Sequence, residues 1–116
     1  MEKLIHYVWK HKLFPLAQLA TTDGQSVEVI DAGLPNSNAG PDFFNVKVKI
    51  NGTLWVGNVE IHDKSSDWFT HGHDTDAHYN NVVLHVVEHA DMTVTKQNGD
   101  TPPQLVLPVP ETVKQH

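Results

Sequence analysis

No cysteine occurs in the 116 residues, so disulfides, thiolate chemistry and cysteine-ligated zinc are excluded. Basic side chains are scarce as well: eight Lys and Arg stand against fourteen Asp and Glu, a formal net charge of −6. That balance works against non-specific binding to a phosphate backbone, which depends on cationic groups. The one dense basic patch is Lys10, His11 and Lys12. Long apolar runs are missing too. Residues 1–7 lack the apolar region of a signal peptide, and no run approaches the length of a membrane span. The expected location is therefore the cytoplasm, with no membrane contact. The length suits one compact domain and not two, and 39% hydrophobic residues, gathered in clusters, suffice for a core.

Histidine is what the chain has in excess. There are nine, and His62, His71, His73, His78, His85 and His89 fall in one stretch, which makes metal or proton chemistry an expectation. Along the chain, Leu4, Ile5, Val8, Trp9 and Leu13 recur at helical spacing and predict a helix over 2–14 with those groups in the core. Pro15 ends it. Residues 25–30 alternate as a first strand, and 31–41, rich in Gly, Pro and Asn, read as a loop. A second strand over 43–50 sets Phe44, Val46, Val48 and Ile50 on one face. Asn51-Gly52 predicts a type I′ hairpin turn into a third strand over 53–62. A short helix follows at 76–80, with Asp76 as its N-cap. The run from Val82 to Val87 reads as a strand covered on both faces. The fold class is α+β, or a mixed α/β sheet, with one domain over 1–97. Residues 98–116 read as a tail, or as the start of a linker to the remainder of a longer polypeptide.

The hairpin brings Asp42 near Glu60 and His62. Two carboxylates and an imidazole at strand ends are hard-to-borderline metal ligands and can activate water. A strict two-residue turn pairs Phe43 with Glu60, which sets Asp42 and Glu60 on opposite faces. Convergence requires a bulge, and Gly57-Asn58 is the expected place for it. Glu60, His62 and Lys64 alternate along one face. In this reading Asp42 and Glu60 hold Mg²⁺ or Mn²⁺, with Zn²⁺ less favoured. His62 is a further ligand or a general base, and Lys64 orients a phosphate. The alternative is a set of solvated strand-end charges beside a structural turn. His71 and His73, on an extended His-Gly-His, form a second, weaker metal candidate, with simple exposure as its rival reading. His85, inside the apolar run, reads as a satisfied core histidine with Tyr79 as partner. Trp68 reads as a core anchor for the polar loop.

The motifs Ala39-Gly-Pro-Asp-Phe43, Trp55-x-Gly-x-Val-Glu-Ile-His62, Ser65-Ser-Asp-Trp68, His71-Gly-His73 and the stretch from Tyr79 to Val87 together resemble a bacterial family that carries a domain of unknown function and whose members are longer. A looser resemblance is to the PD-(D/E)XK, or restriction-endonuclease-like, superfamily. Pro41-Asp42 and Glu60-Ile-His62 match its order and spacing, with His62 standing at the lysine position and Lys64 two residues on. That likeness implies a Mg²⁺- or Mn²⁺-dependent, nuclease-like phosphodiesterase acting on nucleic acid. A non-catalytic binding or scaffold module, and a histidine-based transition-metal domain, remain open beside it.

Overall fold

A computed structural model describes residues 2–114, so the last two residues of the expected tail lie outside it. Helix α1 (Glu2–Lys10) is shorter than its apolar spacing predicts. The chain leaves the helix at Lys12, which takes a left-handed φ of 55°, and Leu13 is left 41% exposed rather than in the core. Seven strands follow: β1 (Leu19–Ala20), β2 (Ser26–Asp31), β3 (Leu34–Pro35), β4 (Phe43–Ile50), β5 (Thr53–Lys64), β6 (Val82–His89) and β7 (Gln104–Val106). Two short helices, α2 (Asp67–Thr70) and α3 (Glu111–Lys114), and two 3₁₀ turns, His73–Thr75 and Ala77–Tyr79, complete the chain. The helix expected at 76–80 is the second of these turns. Asp76 does cap it, accepting from the His78 N–H.

The strands form one mixed sheet in the order β1-β2-β4-β5-β6-β7, with β3 beside β4. Pairing is antiparallel up to β5 and parallel from β5 through β7. Thr22 N–H donates to the Gln104 carbonyl at 2.9 Å, which draws the two ends of the sheet together into a nearly closed barrel. The main core holds Ile5, Val8 and Trp9 of α1 with Val46, Val48, Val59, Ile61, Leu84 and Val86 of the sheet. Leu105, Leu107, Val109 and Val113 join it, so the segment after Asn98 supplies a strand and core side chains. A second cluster gathers Trp68, Tyr79, Val82 and Val94. Trp68 anchors the loop as expected: it is fully buried, and its indole N–H donates to the Thr95 carbonyl at 3.0 Å.

The hairpin turn is type I′, with positive φ at Asn51 (54°) and Gly52 (85°), and it pairs Ile50 with Thr53. The register then slips, on the strand opposite to the expected one. Val46 faces Gly57 but Phe43 faces Val59, so the extra residue lies in β4. Asn45, with φ of 58°, marks it; asparagine is among the few side chains that visit this region at modest cost. The bulge also explains a second difference. Phe43 is buried with Val46 and Val48, whereas Phe44 is 37% exposed. Gly57 serves close packing instead, because a Cβ there would lie 2.5 Å from the Asn81 carbonyl oxygen and 2.6 Å from a Val83 methyl.

Candidate metal centre

The slip at Asn45 flips the pleat beyond it, so one step past Phe43–Val59 brings Asp42 opposite Glu60. Glu60 pairs with His85 on β6, and His85 pairs with Gln104 on β7. A single polar row, Asp42–Glu60–His85–Gln104, thus crosses four chain segments. These residues alternate with Ile61, Val86 and Leu105 of the main core, which puts them on the other face of the sheet. There Trp68 packs edge-on toward His73 and tilted against His85, with ring centroids 5.4 and 5.0 Å away.

Side chains meet tightly along and beside this row. Glu60 Oε2 lies 2.7 Å from His73 Nε2 and 3.3 Å from His62 Nε2. His62 Nε2 is also 3.1 Å from His71 Nδ1. On its far side His62 Nδ1 meets His85 Nε2 at 2.8 Å, and His85 Nδ1 meets Gln104 Oε1 at 3.1 Å. Gln104 Nε2 donates to the Met92 carbonyl at 3.1 Å. This last bond orients the whole chain of contacts. Reversing the amide would set two oxygens against each other, so Oε1 faces His85 and can only accept. His85 Nδ1 therefore carries the proton, His85 Nε2 accepts, and His62 Nδ1 donates. His62 is left with a bare lone pair on Nε2, directed at Glu60 and His71.

Neutral rings are also what burial favours. Desolvation, with smaller effects from the neighbouring histidines, pulls His62 down to about 3. Desolvation likewise lowers His73 to about 4, and lowers His85 to about 4 against the opposing Gln104 contact. Glu60, 4% exposed, moves the other way: burial, then the Asp42 charge, raise it to about 10. Burial would raise Asp42 too. Its bond with His6 (3.4 Å) and the Ile61 N–H (2.8 Å), however, hold it below its ordinary value. In the metal-free protein at neutral pH, then, Asp42 is ionised and Glu60 keeps a proton.

His71 and His73 join this cluster rather than forming a site of their own. The segment is not extended: Gly72 takes φ of 72°, and the two rings sit 5.6 Å apart. One nitrogen each from His62, His71 and His73 falls within a 4.8 Å span. His73 is 7% exposed, stacked on Tyr79 at 3.7 Å, and its Nε2 has no aligned hydrogen-bond partner. Tyr79 therefore supports His73 and not His85. His85 is the satisfied core histidine expected, but its partners are His62 and Gln104. Gln104 had no sequence signal beyond lying in an apolar run. Lys64 stands exposed at the end of β5 and adds only a minor part to the lowering of Asp91, whose main partner is Ser66. A surface groove of about 660 Å³ lies at the other end of β5, beside Trp55, Asn81 and Lys96, and contains none of these histidines.

A dication suits this donor set. Three imidazole nitrogens and one buried carboxylate oxygen are ligands of the Zn²⁺ class. The His85–Gln104 chain behind His62 is the kind of outer support that fixes a ligand's tautomer. Among the described residues no helix is long and apolar enough to cross a membrane. No curated protein and no solved structure matches the chain, so the restriction-endonuclease-like core finds no counterpart there. The family model described as "Protein of unknown function (DUF2851)" matches residues 2–116, and the chain belongs to that family.

Proposed function

We propose that this domain binds a transition-metal dication through His62 Nε2, His71 and His73, with Glu60 Oε2 as the fourth donor. The observation that carries this reading is the His62–Glu60 pair. The tautomer forced on His62 leaves its lone pair 3.3 Å from a carboxylate oxygen, and two such acceptors need something positive between them. In the free protein Glu60 keeps a proton and shares a side-chain hydrogen bond with Asp42. A metal ion replaces that proton and satisfies His73 as well. The ligand set is nitrogen-rich, so the preference runs to Zn²⁺, Ni²⁺ or Co²⁺ over the Mg²⁺ or Mn²⁺ that Asp42 and Glu60 alone suggest. His71 is exposed, so the opening to solvent lies on its side. Calorimetric titration of the metal-free chain with Zn²⁺, Ni²⁺, Mn²⁺ and Mg²⁺ tests the reading, with His62→Ala as control. Tight Zn²⁺ or Ni²⁺ binding that His62→Ala removes supports it. Equal, weak binding of all four ions overturns it.

Metal-assisted hydrolysis of a phosphodiester is the second reading, favoured by the placing of Asp42 directly opposite Glu60. Against nucleic acid as substrate stands the basic inventory: all eight cationic residues are lysine and none is arginine, so no bidentate phosphate clamp exists. Incubating the metal-loaded chain with single- and double-stranded DNA and RNA decides it. Cleavage abolished by Asp42→Asn establishes the enzyme. Intact substrate with metal bound leaves a metal-binding or scaffold module.

A further inference from the structure

We infer that the centre takes two cations, the second held by Glu2, His6 and Asp42 with Glu60 bridging to the first. This rests on the His62–His71–His73 reading and extends it. Glu2 and His6 lie one helical turn apart on α1, and a single donor atom from each falls with one from Asp42 within 4.8 Å. Glu60 joins the two groups, because its oxygens face different ways. Oε2 looks to His73 and His62. Oε1 lies on the Asp42 side, accepts the Asp42 N–H at 3.1 Å, and keeps a lone pair. Asp42 spends Oδ2 on His6 and on the Ile61 N–H. While Glu60 keeps its proton, the Asp42 and Glu60 carboxyl groups also share a side-chain hydrogen bond.

Charge points the same way. Glu2, Asp42 and Glu60 bring three carboxyl groups to one partly buried place, and no lysine pairs with any of them among the described residues. Carboxylates gathered in one partly buried place favour a nearby cation, and the one basic partner there is His6, on Asp42. His73 gives the other sign of an unfilled centre, since it is buried and its Nε2 makes no aligned hydrogen bond although Glu60 Oε2 lies 2.7 Å away. Paired cations sharing a carboxylate are the arrangement that clamps the attacking and leaving oxygens of a displacement, so the ligand class is a pair of divalent ions.

The test is the number of ions held by the intact chain. Equilibrium dialysis against Zn²⁺ with elemental analysis gives the stoichiometry, and Mn²⁺ loading followed by electron paramagnetic resonance reads whether two ions are coupled. We expect two Zn²⁺ per chain and a coupled Mn²⁺ pair. His6→Ala and Glu2→Gln, both on the partly exposed side of α1, should each lower the count to one and leave an isolated Mn²⁺ signal. One ion in the wild type, unchanged in both variants, overturns the second site and leaves the histidine site standing. No ion in the wild type overturns both. Circular dichroism melts of the variants confirm that any lost ion is not lost fold.

Discussion

The Asp42 backbone N–H donates to Glu60 Oε1 at 3.1 Å, across strands whose turn geometry alone would set the two residues on opposite faces. Asn45 is the residue that makes them neighbours. Its φ of 58° is open to glycine and costly for a β-branched side chain, by about 1–2 kcal/mol. Asn45→Gly should leave stability and Zn²⁺ binding near wild type, and Asn45→Val should lower stability by that amount in urea melts. Deleting Asn45 restores the strict register, and Zn²⁺ binding should vanish in calorimetry.

Metal should enter against a proton. Glu60 is raised to about 10 by burial and by Asp42, so at neutral pH each ion that binds Oε2 releases one proton. Apparent affinity should climb about tenfold per pH unit from neutrality toward pH 9. Calorimetry in buffers of different ionisation enthalpy counts the proton directly. Glu60→Gln should bind more weakly, with that release gone.

Metal-free stability should peak near neutrality. The folded pKa values of His62, His73 and His85 lie below the ordinary 6.5. Their contribution is therefore complete above pH 6.5 and is lost as pH falls toward 4. Glu60 is raised, so its contribution is complete below about 4.5 and is lost as pH rises toward 10. Between these limits three imidazoles outweigh one carboxyl, and stability should rise with pH to near 6.5 and decline slowly above it. Saturating Zn²⁺ should cancel the alkaline decline. Thermal melts from pH 4.5 to 9, with and without Zn²⁺, read both arms.

Gln104 should matter far beyond its own bonds. Gln104→Leu leaves His85 Nδ1 buried without a partner and frees the His62 tautomer. We expect a stability loss of about 1–3 kcal/mol and Zn²⁺ affinity weaker by about 10–100-fold. A variant that binds Zn²⁺ as tightly as wild type would remove the argument from tautomers.

Gly57→Ala separates packing from the metal centre. The added methyl meets the Asn81 carbonyl and Val83 at under 3.0 Å, and overpacking of that kind costs about 1–3 kcal/mol. Zn²⁺ affinity measured well below the melting temperature should be unchanged.

The sequence showed the hairpin and the covered strand well, because Asn51-Gly52 and the run from Val82 to Val87 are local signals with single physical causes. It also flagged Asp42, Glu60, His62, His71 and His73 as donors. It misplaced how they meet. Gly57 looked like the bulge because glycine is permissive, yet its lack of a side chain serves contact with Asn81, while Asn45 takes the positive φ. Gln104 and His6 were invisible for another reason. Their roles come from parallel pairing of β6 with β7 and from the packing of α1, contacts between residues far apart in the chain. Lys64 fits a spacing rule but ends in solvent.

The row Asp42–Glu60–His85–Gln104 also bears on the order of events during folding. A hairpin can bring Asp42 to Glu60 early, but parallel strands have no tight turn to join them and close slowly. His85 therefore arrives late, and Gln104, on the last strand, later still. Until it docks, nothing selects the tautomer of His62, and the early half-site offers carboxylates and unbiased rings. On the proposed reading, high-affinity capture of an ion would be a checkpoint on the finished barrel. A stalled or truncated chain would carry most of the ligands and still fail to hold the metal.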